Sequence, residues 1–344
     1  MSKRARSVRI DFRHLVIVCL LWLPALVLAK QDSLPGWDDW RAKYVSQDGR
    51  VIDTGQGNIS HSEGQGFALL LAAAAGDRVT FQRVWNWTHA HLQVRKDALF
   101  AWRWDPKENC VTDSNNASDG DMLIAWGLLR GAQRFKVPRW KGDARRVLVD
   151  VRRKMLRVVG DGLVILPGEK GFESPAGRVL NLSYWIFPAL PEFAKADPSP
   201  DWMRLRDTGL SYLDKSRFGR WGLPPDWLLD VSPVTSASGY KPWFGYDAVR
   251  IPLYLKWAGL DTPERMSPFL NYWHSFDGAH IVPAWINLDD NSVDSFSAAP
   301  GILGVRSWVL GAPPAPPTPI AGEGYYSAAL RMLTWIAANH AGRP

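Results

Sequence analysis

The chain has 344 residues, enough for one large domain or two ordinary ones. With 46% hydrophobic and 22% charged residues it has a globular composition, not that of a disordered or fibrous chain. The net charge of +7 falls to +3 once residues 1–29 are set aside, too small a surplus to argue for nucleic acid. The aromatic content is unusual: 19 Trp, against 13 Phe and 9 Tyr. So many large amphipathic side chains will not all fit in a core. Some are expected to line a surface that binds flat, weakly polar faces such as sugar rings. Of the two cysteines, Cys19 lies in the apolar N-terminal segment, which leaves Cys110 alone in the body. A lone Cys makes neither an intramolecular disulfide nor a metal site.

Residues 1–14 are basic and residues 15–29, LVIVCLLWLPALVLA, are apolar. Small residues close the run at Val27-Leu28-Ala29. This is the layout of a secretory signal peptide, and the run is shorter than the ~20 residues that span a bilayer. The expectation is a leader over 1–29 and one domain over 30–344, periplasmic or secreted, with no membrane span once the leader is gone.

Trp37–Tyr44 reads as a short first helix. A polar loop then leads to His61–Gly76, where Glu63 opens a helix that is apolar nearly all round. Taken alone, Ser60 and Glu63 make a capping box, with Ser60 as the N-cap. Asp77 is placed to cap the next helix, which carries an apolar stripe from Phe81 to Ala90. His89 and His91 on that helix have no third ligand nearby and do not suggest metal. A loop with Trp102 and Trp104 follows, then an apolar helix from Asp119 to about Phe135. Arg139–Arg157 reads as an amphipathic helix with a solvated basic face.

The pattern repeats. Tyr184 leads to an apolar segment near Pro188–Ala196, and Asp201–Ser216 is amphipathic. Asp247 leads to an apolar helix ending near Trp257, and Thr262–His274 is amphipathic. Ser295–Leu310 and Gly322–Ala338 read as two more buried helices. Gly162–Pro167 and His280–Ile286 are candidate hairpin strands. Glu63, Asp119, Tyr184 and Asp247 stand 56, 65 and 63 residues apart. Each opens a buried segment that an amphipathic one follows, a structural period without sequence identity. The simplest closed solution is one domain, a ring of buried helices inside a ring of amphipathic ones. In such a ring the N-termini of the inner helices open at one mouth. Glu63, Asp119 and Asp247 would then converge beneath Trp102, Trp104 and Tyr184. Each acid could still be a helix cap. Acids converging under aromatic walls also describe a glycosidase cleft, which needs one protonated carboxyl and one carboxylate.

Three stretches resemble glycoside hydrolase family 8 over about Trp37 to Ala338. Arg50-Val51-Ile52-Asp53-Thr54 with Ser62-Glu63-Gly64-Gln65-Gly66 resembles its acid region. Asn116-Ala117-Ser118-Asp119-Gly120-Asp121 resembles its signature stretch, and Tyr246-Asp247-Ala248-Val249-Arg250 its base region. Asn181-Leu182-Ser183-Tyr184 and Pro224-Pro225-Asp226-Trp227 look most like the endoglucanases associated with bacterial cellulose synthesis. The resemblance implies an all-α (α/α)6 barrel with small β-hairpin insertions, and an inverting enzyme that cleaves β-1,4-glucan. It implies Glu63 as general acid, Asp247 as general base and Asp119 as holder of the sugar at the cleavage point. Tyr184 and Arg250 would support the water and Asp247, with Trp102, Trp104 and Asp121 as further substrate contacts. It implies no cofactor and no metal, and the cellulose synthase machinery as a partner. Mixed-linkage glucan, xylan and chitosan stay open as substrates, since cleft shape chooses among them. A non-catalytic glycan-binding protein and a helical envelope scaffold stay open as other classes.

Overall fold

The computed structural model describes residues 34–340; the leader expected over 1–29 lies outside the described residues. Within them the chain is mostly helical, with eleven α-helices. In order these are α1 (Trp37–Tyr44), α2 (Ser62–Ala75), α3 (Arg78–His91), α4 (Ser118–Phe135), α5 (Pro138–Met155) and α6 (Leu190–Ala196). Then come α7 (Asp201–Lys215), α8 (Arg250–Trp257), α9 (Pro263–His274), α10 (Pro300–Val309) and α11 (Tyr325–His340). No described helix is long and apolar enough to cross a membrane.

The hydrophobic pattern explains which helices sit inside. In α2 every residue except Glu63 and Ala74 is buried. The helix meets α4 on one side and α11 on the other, with α1 and α3 also against it. The amphipathic α3, α5 and α7 each bury one stripe: Phe81, Val84 and Trp85 in α3, and Trp140, Val147, Leu148 and Val151 in α5. α4 also touches α6, and α8 touches α10, α11 and the 3-10 turn Leu182–Tyr184.

The seam between α2 and α4 depends on glycine. A Cβ on Gly66 would stand 2.5 Å from Leu123 Cβ, and one on Gly127 would stand 2.5 Å from Leu69 Cβ. A Cβ on Gly120 would collide with the Ser62 hydroxyl and stand 2.8 Å from the Glu63 amide nitrogen. Hydrogen in place of a side chain lets the two backbones touch, and that contact sets Glu63 beside Asp119.

Several expected boundaries move. The cap of α2 is His61, whose Nδ1 accepts from the Gly64 amide at 2.9 Å, so Ser60 is not the N-cap. Ser60 instead donates to the Val51 carbonyl at 2.5 Å. α5 stops at Met155, because Leu156–Val159 pairs antiparallel with Gly162–Ile165. α10 begins at Pro300, a residue suited to a first helical position because it has no amide proton to leave unpaired. Tyr184 ends a 3-10 turn and Asp247 lies in a turn before α8, so neither sits inside an α-helix. Two antiparallel sheets were not expected. One joins Ser60–His61, Arg103–Asp105 and Cys110–Asp113; the other joins Glu173–Ser174, Gly177–Leu180, Leu228–Asp230 and Thr235–Ser236. Strands of two to four residues are too short to show alternation in sequence.

Glycine at the seam and glycine on the surface should respond oppositely to alanine. Gly127→Ala overpacks the seam and is expected to cost about 1–3 kcal/mol. Gly142, exposed on α5, has nothing within 4 Å of its would-be Cβ. Gly142→Ala should stabilise by about 0.5–1 kcal/mol. Urea unfolding of the two variants measures both.

Candidate active site

Arg250, the first residue of α8, is only 2% exposed and stands among three carboxyls. Its Nη1 meets Glu63 Oε1 and lies 3.8 Å from Asp119 Oδ2. Its Nη2 donates to Asp247 Oδ1 at 2.7 Å and to Ser183 Oγ at 2.9 Å. One guanidinium thus touches the second residue of α2, the second residue of α4 and the turn before α8. The three acids do converge.

Each acid is held by its own segment. Glu63 follows His61, whose ring lies 3.9 Å from Glu63 Oε2. Since His61 Nδ1 accepts from Gly64, its Nε2 carries the proton toward Asp53 at 3.2 Å. Burial pushes Asp53 up, but bonds from His61, Gly55 and Gln56 outweigh it and hold the carboxyl below its ordinary range. Asp119 accepts from the Gly120 amide at 2.7 Å and from the Tyr184 phenol. Tyr184 therefore spends its proton on Asp119. Burial, and then the carboxylates of Asp119 and Asp247, keep that phenol protonated.

Asp247 depends on a residue to which sequence reasoning gave no role. Asp226 Oδ1 accepts from the amides of Gly245, Asp247 and Ala248 at 3.1, 3.2 and 2.7 Å. It ties down the turn that carries Asp247. Its signal was present in Pro224-Pro225-Asp226-Trp227, but the bonds run to a segment some twenty positions on. Burial raises Asp226, and Asp247 raises it further. Burial also raises Asp247, against the pull of Asn181. Asp119 is raised by burial and then by Asp247. Asp119, Asp226 and Asp247 therefore retain protons at pH values where a free carboxyl has none.

The remaining expected residues divide. Trp102 is half-buried; its carbonyl accepts from the Ser62 amide at 3.0 Å, and its indole donates to Asp113 at 2.7 Å. It lies next to the start of α2, beside the acid. Trp104 does not form a wall of the site. It is 7% exposed, packs edge-on against Trp87 at 5.6 Å, and carries Arg50 on its ring. It sits on the strand Arg103–Asp105, where alternate side chains turn inward. Asp121 is also not a substrate contact. It is fully buried and accepts from the Phe100 amide at 2.8 Å and Asn116 Nδ2 at 2.7 Å, holding the tryptophan loop to α4. Arg250 is an internal charge partner of the acids. The aromatic face beside Tyr184 comes from elsewhere. Trp227 stacks between Phe172 at 5.9 Å and Tyr240 at 4.6 Å, and meets Tyr184 edge-on at 6.2 Å.

The raised carboxyls have a consequence for stability. Burial, opposed by Asn116 and the Phe100 amide, raises Asp121 from 3.8 to about 7. Between those values the folded chain binds more protons than the unfolded one, so this stability is full at acid pH and is lost as pH rises through 7. Asp119 and Asp226 shift the same way. Asp97, where Arg95 and Lys154 outweigh burial, is held at about 2 and stays charged throughout. The melting temperature should therefore fall from about pH 5 to about pH 8. Asp226→Asn keeps the accepting oxygen and removes the charge, so calorimetry of that variant should show a smaller fall.

Known proteins share this arrangement of sequence and fold. The family model for Glycosyl hydrolases family 8 matches residues 10–340. A probable endoglucanase of Novacetimonas hansenii is 40% identical over 306 residues, spanning 88% of this chain and 89% of that protein. An endoglucanase of Cellulomonas uda is 36% identical over 301 residues, spanning 87% of this chain and 83% of its own. The solved structure of endo-β-1,4-glucanase CMCax from Acetobacter xylinum aligns with a TM-score of 0.81 at 40% identity. That alignment covers 88% of this chain and 96% of the other. Matches of this length and identity, over a chain whose acids meet at one buried arginine, make this protein a member of glycosyl hydrolase family 8.

Proposed function

We propose that this protein is an endo-β-1,4-glucanase that cleaves internal bonds of a cellulosic chain with inversion of configuration. The observation that carries the reading is the meeting of Glu63, Asp119 and Asp247 at Arg250. The relatives named above as endoglucanases support the substrate class. Glu63 gives its proton to the leaving oxygen. Asp247 takes a proton from the attacking water. Asp119, held by Tyr184, binds the sugar at the cleavage point. The fold is an (α/α)6 barrel: α2 meets α4, α4 meets α6, α8 meets the turn Leu182–Tyr184 that leads to α6, α8 meets α10, α10 meets α11 and α11 returns to α2, a sequence of contacts that supports an inner ring. Residues 1–29 act as a leader that sends the enzyme to the periplasm or beyond, where it trims glucan for the cellulose synthase machinery.

Viscosity and reducing-end assays on carboxymethylcellulose test the activity, beside xylan, mixed-linkage glucan and chitosan. Early loss of viscosity with few new ends is expected on carboxymethylcellulose. Binding without new ends would make the protein a glycan-binding module. Glu63→Gln should abolish cleavage, because a cellulosic leaving alcohol needs a proton. An inverting site fits a water between base and sugar, with carboxyls roughly 6.5–9.5 Å apart instead of about 5–5.5 Å. Proton NMR of fresh β-glucan hydrolysate should show the α-anomer first; the β-anomer first would falsify inversion and the role given to Asp247.

Trp102→Ala should weaken binding of the polymer more than it slows turnover of a short activated substrate. Equal losses in both assays would make Trp102 structural.

A further inference from the structure

We propose that Asn181 orients the attacking water for Asp247, through a buried amide N–H that completes no full hydrogen bond among the described residues. The inference rests on the base role given to Asp247 above. Asn181 is 1% exposed and caps the 3-10 turn that ends at Tyr184. Its Oδ1 accepts from the Ser183 amide at 3.0 Å and from Ser183 Oγ at 2.7 Å. Ser183 Oγ itself accepts from Arg250 Nη2, so the serine proton must go to Asn181. Both bonds fix which end of the amide is oxygen, and a flip would set donors against the nitrogen. Nδ2 is therefore a buried donor, and among the described residues it completes no full hydrogen bond. Leaving such a donor unsatisfied costs about 1–3 kcal/mol, so its persistence calls for a ligand.

Its surroundings name that ligand. Nδ2 is directed at the Asp247 carboxyl, where it acts as a hydrogen-bond donor that favours the carboxylate form, yet the geometry falls short of a full bond and leaves room for a shared water. The same Arg250 Nη2 that anchors Ser183 also binds Asp247 Oδ1, so the amide and the base are set from one atom. The Tyr184 phenol, the other donor nearby, is engaged by Asp119. A water attacking the anomeric carbon directs one lone pair at carbon and gives a proton to Asp247. As the new C–O bond forms, the glycosidic bond breaks and the leaving oxygen takes the proton of Glu63. The second lone pair of the water requires a neutral donor from the side, and Asn181 Nδ2 supplies it.

The test is steady-state kinetics on a soluble cello-oligosaccharide across pH, with Asn181→Ala, Asn181→Asp and Asp247→Asn. Both Asn181 variants should lose kcat by about 10²-fold with KM nearly unchanged, the scale of a misplaced reactant. Their acidic limb should also move to higher pH, because a donor that favours charged Asp247 is gone. Asn181→Asp keeps the shape and the bonds from Ser183, so it reports on the donor even if the alanine variant folds poorly. A lowered melting temperature with wild-type kcat and an unmoved limb would make Asn181 structural and overturn the inference. If Asp247→Asn keeps its activity, the base assignment falls and this inference falls with it. If Asp247→Asn is inactive while the Asn181 variants turn over normally, the inference alone is wrong.

Discussion

A buried guanidinium is the constraint on which the site depends. Taking Arg250 out of water costs several kcal/mol, and only well-placed anions offset that. Glu63, Asp119 and Asp247 provide them from three separate segments. Each segment is thereby obliged to end at the same point. Arg250 also opens α8, and a helix N-terminus disfavours a cation. A local preference is broken there, as happens where function needs it. Lysine would not do the same work, because a single ammonium cannot give two nitrogens to two carboxylates in one plane.

Packing delivers the acids to that cation. α2 and α4 are in contact along Gly66, Gly120 and Gly127, so their first turns lie side by side. Gly120 lies against the backbone of Glu63 and immediately follows Asp119. The seam that builds the core is therefore also the seam that spaces the acids. Asp226 does the equivalent for the third acid, by bonding three amides of a turn that lacks helical support. The Asp53–His61 pair braces the approach to Glu63.

The acids also shape one another. Burial raises Asp119, Asp226 and Asp247, and the charge of Asp247 adds to the rise of the other two. A carboxyl raised toward neutral pH, as Asp247 is, suits a group that takes a proton during a reaction. Tyr184 and Asn181 then divide the neutral donors, one for Asp119 and the other beside Asp247.

Periodicity was enough to place most helices, and spacing was enough to single out Glu63, Asp119, Tyr184 and Asp247, while Arg250 came only from the family resemblance. Those signals are local: an apolar run shows burial, and an acid before it shows which residue stands at the end. Trp104 and Asp121 were misjudged because the direction of a side chain depends on short strands and loops whose bonding partners lie elsewhere. Asp226 and Asn181 were visible as motif letters without a role, since their partners lie 19 to 22 residues away, or next to Asp247 across the fold. Ser60 was displaced as cap by His61, because the strand Ser60–His61 pairs with Trp104 and Arg103 and sets the entrance to α2. Which residues carry charge is written in the chain, whereas which of them share a cation, a proton or a backbone amide is decided only when distant segments close on one another.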